Sequence, residues 1–219
     1  MNLQKINELI AQYKGVIADP AYDGWRLWEL CHQFQSNWDL DADDFGAMYR
    51  SSFNINSPLW HRDNYYPKKS IERYTEISED LVRAMFKDLL NDGKDLGGRI
   101  DRFSYQCDEL YKIERQRQQK VAPHYHDDQK MIFIYLCFTY PDRYSMYDYE
   151  GFKTFMEKVG STIKVQRQDL ERYTKVSRTV GMLMQKDEEL VEVMHNRTVD
   201  ITGGRDYHLL SVFELYACT

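Results

Sequence analysis

At 219 residues, with 42% hydrophobic and 29% charged residues, the chain falls among ordinary globular domains and outside the disordered class. A formal net charge of −6 excludes a broadly basic surface, so any nucleic-acid contact has to come from a local cluster of cations. No apolar run approaches the ~18 residues of a membrane span, the first residues lack a signal peptide's apolar stretch, and four scattered cysteines without a C-x-x-C read as reduced thiols. A cytoplasmic protein with no membrane partner is expected.

Helical periodicity runs through the sequence from its start. Leu3, Ile6, Leu9, Ile10, Tyr13, Val16 and Ile17 recur every three or four positions and define a first helix that Asp19-Pro20 ends. Trp25, Leu27, Trp28, Cys31 and Phe34 carry a second, to about Asn37. Asp41 or Asp43 is placed to cap a third, with Phe45, Met48, Tyr49 and Phe53 on one face. A loop with Pro58 and Pro67 covers 54–69. Two short helices follow, over 69–75 and 78–90, the second opening on the acidic turn Ser78-Glu79-Asp80.

Asn91-Asp92-Gly93 breaks the chain before its longest helix, 95–120, along which Leu96, Ile100, Phe103, Cys107 and Leu110 are spaced as a buried stripe. After Ala122-Pro123 and the HYHDDQ segment, the apolar run 131–140 reads as a buried helix closed by Pro141. Its β-branched and aromatic content makes a strand over 131–138 the alternative, and 197–201 is the other strand-like stretch. Helices are expected at 149–159, stopped by Gly160, and over 164–194. Asn-Arg-Thr and Thr-Gly-Gly then break the chain before a last apolar segment at 209–216. The expected fold is all-α, with about nine helices and no substantial sheet. The expected division is a helical domain over 1–160 and a smaller helical subdomain over 161–219.

Most catalytic chemistries are excluded by spacing. The acidic run Asp39, Asp41, Asp43, Asp44 has Asp where a calcium loop needs glycine and Arg50 where it needs glutamate. No G-x-x-x-x-G-K-[ST] or G-x-S-x-G occurs, and Gly203-Gly204-Arg205 reads as a turn. His124-Tyr125-His126-Asp127-Asp128 is the densest set of metal-ligand types, but its i, i+2 histidines converge only from an extended segment. The entry turn of a helix explains it without a metal. No catalytic residue, metal or cofactor is expected.

Two basic stretches remain. The loop HRDNYYPKK sets Arg62, Lys68 and Lys69 beside Tyr65 and Tyr66, the residue types that hold phosphates and stack bases. On the long helix, Lys112, Arg115 and Lys120 fall near one face, with Arg117 offset, and a third basic helical face runs through Lys164, Arg167, Arg172, Lys175 and Arg178. Such runs are more often solvated faces than binding sites.

Three segments in order, NWDLDADDFGAMYRSSF, NYYPKKSI and HYHDDQKMIFIYLCFTYPDRYSMYDYEGFKTF, resemble the N-terminal region of McrB-like AAA+ GTPases/ATPases, the motor subunits of type IV (modification-dependent) restriction systems. The likeness covers roughly residues 25–160, and YHLLSVFELYACT resembles the stretch leading into the AAA+ module. The motor's own motifs are absent from this sequence. The resemblance implies a place in anti-phage defence as a target-recognition or adaptor domain, with an AAA+ module and an McrC-like nuclease as partners. It carries over no catalytic residue. Taken together, these readings predict a non-enzymatic domain that contacts DNA through Arg62, Tyr65, Tyr66, Lys68, Lys69, Lys112, Arg115 and Lys120. The alternative is a protein–protein module presenting Trp25, Trp28, Trp38 or Trp60 to a phage component or to its own complex.

Overall fold

Ten helices account for the regular structure of residues 1–118, 120–205 and 207–219, the residues described by a computed structural model. They are α1 (Leu3–Ala18), α2 (Arg26–Asn37), α3 (Phe45–Ser52), α4 (Pro67–Leu89), α5 (Leu96–Arg117), α6 (Lys130–Thr139), α7 (Tyr149–Lys158), α8 (Leu170–Met184), α9 (Glu188–Thr202) and α10 (His208–Ala217). The fold class is all-α. Among the described residues the only β-bridge is an isolated antiparallel one between Arg62 and Tyr65. No described helix is long and apolar enough to cross a membrane.

Local chemistry accounts for most of the helix ends. Asn2 accepts from the amides of Gln4 and Lys5 to open α1, and Asp95 accepts from Gly98 to open α5. The cap of α3 is Asp44, whose carboxylate takes the Ala47 amide at 2.6 Å. This is one position beyond Asp43 and three beyond Asp41, the expected caps; Asp41 pairs with Lys87 at 2.6 Å instead. The two short helices expected around Ser78 are the two arms of α4, which meet at a kink where Ser78 leaves helical geometry (φ −161°, ψ 98°). The helical region expected over 164–194 divides where Asp187 caps α9, and Asn196-Arg197-Thr198 lies inside α9. Gly203, at φ +63°, ends that helix in the left-handed conformation glycine tolerates. Both strand alternatives, 131–138 and 197–201, are helical. Residues 131–138 are buried on every side, as a helix without a polar face must be.

The chain packs as two compact units, which do not follow a linear division at residue 160. One comprises Met1–His32 with Tyr140–Thr219, the other Gln33–Thr139, so the first boundary falls within α2.

In the 33–139 unit, α4 packs against both α3 and α5. Phe34, Phe45, Tyr49, Phe53, Phe86, Phe103 and Tyr135 are buried. Phe86 meets Tyr135 at 4.8 Å and Phe103 at 5.1 Å between ring centroids, in edge-on arrangements that aromatic quadrupoles favour. Glu79 of α4 accepts from the amides of Phe45 and Gly46 at the start of α3, at 3.0 and 3.4 Å. Asp88 binds Arg102 of α5 at 2.7 Å and also Lys94.

In the unit formed by 1–32 and 140–219, α1 packs on α8, α9 and α10, and α10 packs on α7 and α8. Phe152, Phe155, Tyr173 and Tyr216 form its aromatic centre. Gly151 permits a close approach there: a Cβ at that position would lie 2.8 Å from the Tyr216 carbonyl oxygen.

Candidate functional site

Between α5 and α6 the chain runs from 120 to 126 without regular secondary structure. Pro123 disfavours helix at the residue before it, and Tyr125 takes φ +62°, an uncommon conformation for a large side chain. Both flanking histidines turn inward as a result. His124 is 5% exposed and His126 fully buried, with their rings stacked 5.7 Å apart.

Cys107 meets them from the buried stripe of α5. One potential ligand atom from each of Cys107, His124 and His126 lies within 4.8 Å of the others, and all three residues are buried. His124 Nδ1 accepts from the His126 amide at 3.0 Å, which leaves its Nε2 to carry the ring proton toward Asp108 Oδ1, also at 3.0 Å. His126 Nε2 lies 3.2 Å from the Tyr135 hydroxyl, itself 2.8 Å from the Tyr49 hydroxyl. The other nitrogen, His126 Nδ1, is buried without a hydrogen-bond partner. An unsatisfied buried polar group costs about 1–3 kcal/mol. Burial pushes the His126 pKa down to about 3, with His124 adding to the effect, so the ring is neutral at physiological pH. Burial also pushes the Cys107 thiol well above its ordinary pKa.

The same segment is where the two basic stretches meet. Tyr65 packs its ring 5.3 Å from that of Tyr125. Ser70 Oγ donates to the Pro123 carbonyl at 3.3 Å, and Tyr111 donates to the Val121 carbonyl at 3.4 Å. Arg62 stands over Tyr65 (4.8 Å) and Arg115 over Tyr111 (5.8 Å). Lys69 covers Tyr66 at 5.2 Å, and Lys120 adjoins Val121 in the chain. Each of the four cations is therefore at most two steps from 121–125. All four are exposed, and no described carboxylate lies within ion-pair distance of them.

Not every residue singled out from the sequence is displayed. Lys68 is drawn inward, donating to the Phe53 carbonyl at 2.6 Å and pairing with Glu72 at 3.6 Å. Tyr65 is 9% exposed and offers no face to a base; Tyr66 is half-buried. Lys112 is exposed but paired with Glu109 at 2.6 Å. The third basic face, on α8, lies in the other unit, where Arg172 pairs with Asp169 at 3.0 Å and Arg178 donates to the Arg143 carbonyl. Of the tryptophans, Trp28 and Trp60 are each 2% exposed, Trp38 is half-buried and stacks on Phe34 at 4.6 Å, and Trp25 is half-buried with its ring 5.0 Å from that of Tyr22. Cys107 and Asp108 were not singled out from the sequence. The only signal was the place of Cys107 in an apolar stripe, which marks burial and not its neighbours.

A cavity of about 280 Å³ opens in the unit formed by 1–32 and 140–219, lined by Trp28, Met184, Leu190, Met194, Tyr207, His208 and others. Its lining is mainly apolar, with His195, Arg205 and Ser211 among its polar groups.

No protein-family model, curated protein or solved structure matches this chain.

Proposed function

We propose that this chain is a non-enzymatic recognition domain of a McrB-like restriction ATPase, and that it contacts DNA phosphates through Arg62, Lys69, Arg115 and Lys120. The observation that carries the reading is that these four cations are exposed and, among the described residues, outside ion-pair distance of any carboxylate, around the 121–125 segment, with Asp128 the acidic neighbour of Arg62. An acidic chain would otherwise repel a polyanion; a local cluster of this kind is what phosphate binding requires. Tyr66 is the aromatic neighbour with ring surface left to offer. The AAA+ module and an McrC-like nuclease are the partners the resemblance supplies.

Charge reversal tests the reading. Lys69→Glu combined with Arg115→Glu should weaken DNA binding at least tenfold while leaving the fold intact. Unchanged affinity in the folded double variant would transfer the weight to a protein–protein role.

A further inference from the structure

We propose that Cys107, His124 and His126 form a binding site for one zinc-type divalent metal ion. A thiolate and two imidazoles are a borderline-soft donor set, suited to zinc and its neighbours and poorly suited to magnesium or calcium. The three donors come from two elements, the middle of α5 and the irregular segment before α6, and burial brings them together. His126 supplies the independent sign of a missing ligand: its Nδ1 is fully buried and has no hydrogen-bond partner.

Asp108 completes the arrangement. Its carboxylate sits 3.0 Å from His124 Nε2, so that ligation through Nδ1, where the metal takes the place of the His126 amide, keeps a carboxylate behind the ring, the partner that metal-bound histidines ordinarily have. The charges also balance, since the Cys107 thiolate and the Asp108 carboxylate together offset a dication. Binding displaces the Cys107 proton to solvent, with no change of oxidation state. Three protein donors leave a fourth position for water. The site is independent of the phosphate-binding reading and stands or falls separately.

Cobalt titration of the chelator-stripped protein tests it. The expected result is saturation at one equivalent of Co2+ with a thiolate-to-metal charge-transfer band, discharged by one equivalent of Zn2+. Cys107→Ser should lose the band, Cys218→Ser should keep it, and Asp108→Asn should weaken Co2+ binding about tenfold. Absence of a saturable thiolate band in the folded protein would overturn the proposal, as would a band that survives Cys107→Ser. If Cys107→Ser does not fold, Asp108→Asn decides: the tenfold loss supports the site and an unchanged affinity contradicts it.

Discussion

Tyr13 donates its hydroxyl to Glu214 at 2.7 Å across 201 positions of sequence, fastening α1 to α10 inside one compact unit. Burial raises the Glu214 pKa above the usual carboxylate range, although its hydrogen bonds from Tyr22 and Tyr13 oppose the shift. A carboxyl raised in the folded state contributes its stability below the unfolded pKa and loses it as pH rises through the folded value. The contribution of Glu214 should therefore decline from about pH 4.3 upward, and the difference in unfolding midpoint between the parent and Glu214→Gln should change with pH in that range. Tyr13→Phe should cost about 1–3 kcal/mol in denaturant unfolding at neutral pH, by leaving a buried acceptor short of a donor. An unaltered profile in Glu214→Gln would mean that the carboxyl is solvated.

Glu79 should behave in the opposite sense. Its bonds from the Phe45 and Gly46 amides hold its pKa below the ordinary value, with Arg83 assisting. That contribution is present above the unfolded pKa and lost as pH falls through the folded one. Acid unfolding of Glu79→Gln should begin from a lower plateau and fall less steeply. Asp44→Ala, which removes the neighbouring cap of α3, should cost about 1 kcal/mol.

The chain of hydroxyls from Tyr49 through Tyr135 to His126 offers a sharper test of core packing. Tyr135→Phe keeps the ring against Phe86 but strips a partner from both Tyr49 and His126. The expected loss is about 1–3 kcal/mol or more, since two buried polar atoms are orphaned at once. Unfolding curves matching the parent's would show that water reaches this site.

Lys68 and Lys69 are adjacent in sequence and should separate in behaviour. Lys68→Ala removes a donor from the Phe53 carbonyl, so about 1 kcal/mol of stability should go while the folded protein binds DNA nearly as before. Lys69→Glu should leave stability within about 0.5 kcal/mol and weaken DNA binding. Equal effects of the two substitutions on DNA affinity would contradict the separation.

Much of this architecture was legible from spacing. The stripes of α1 and α5, the all-round burial of α6 and the break at Ser78 follow from which residues recur and where small polar residues interrupt them. What the sequence did not reveal depends on contacts between distant segments. Asp44, not Asp41 or Asp43, caps α3, and Glu79, 34 positions from Phe45, takes that helix's first amide. Tyr65 points inward and Tyr66 stays half-exposed because the turn at Asn64, with φ +58°, directs one ring onto Tyr125. Cys107 reads as a buried thiol from its stripe, but its meeting with His126 depends on how the irregular 120–126 segment folds back. The return of 140–219 onto 1–32 has no local signal at all.

The most direct test of the central claim is fluorescence anisotropy of this chain with unmodified, methylated and single-stranded DNA across a salt series. With four phosphate contacts the account predicts a log–log slope of roughly −3 to −4 on duplex DNA, made shallower by about one unit when Lys69 or Arg115 is reversed. No binding at low salt, or an affinity indifferent to salt, would contradict it.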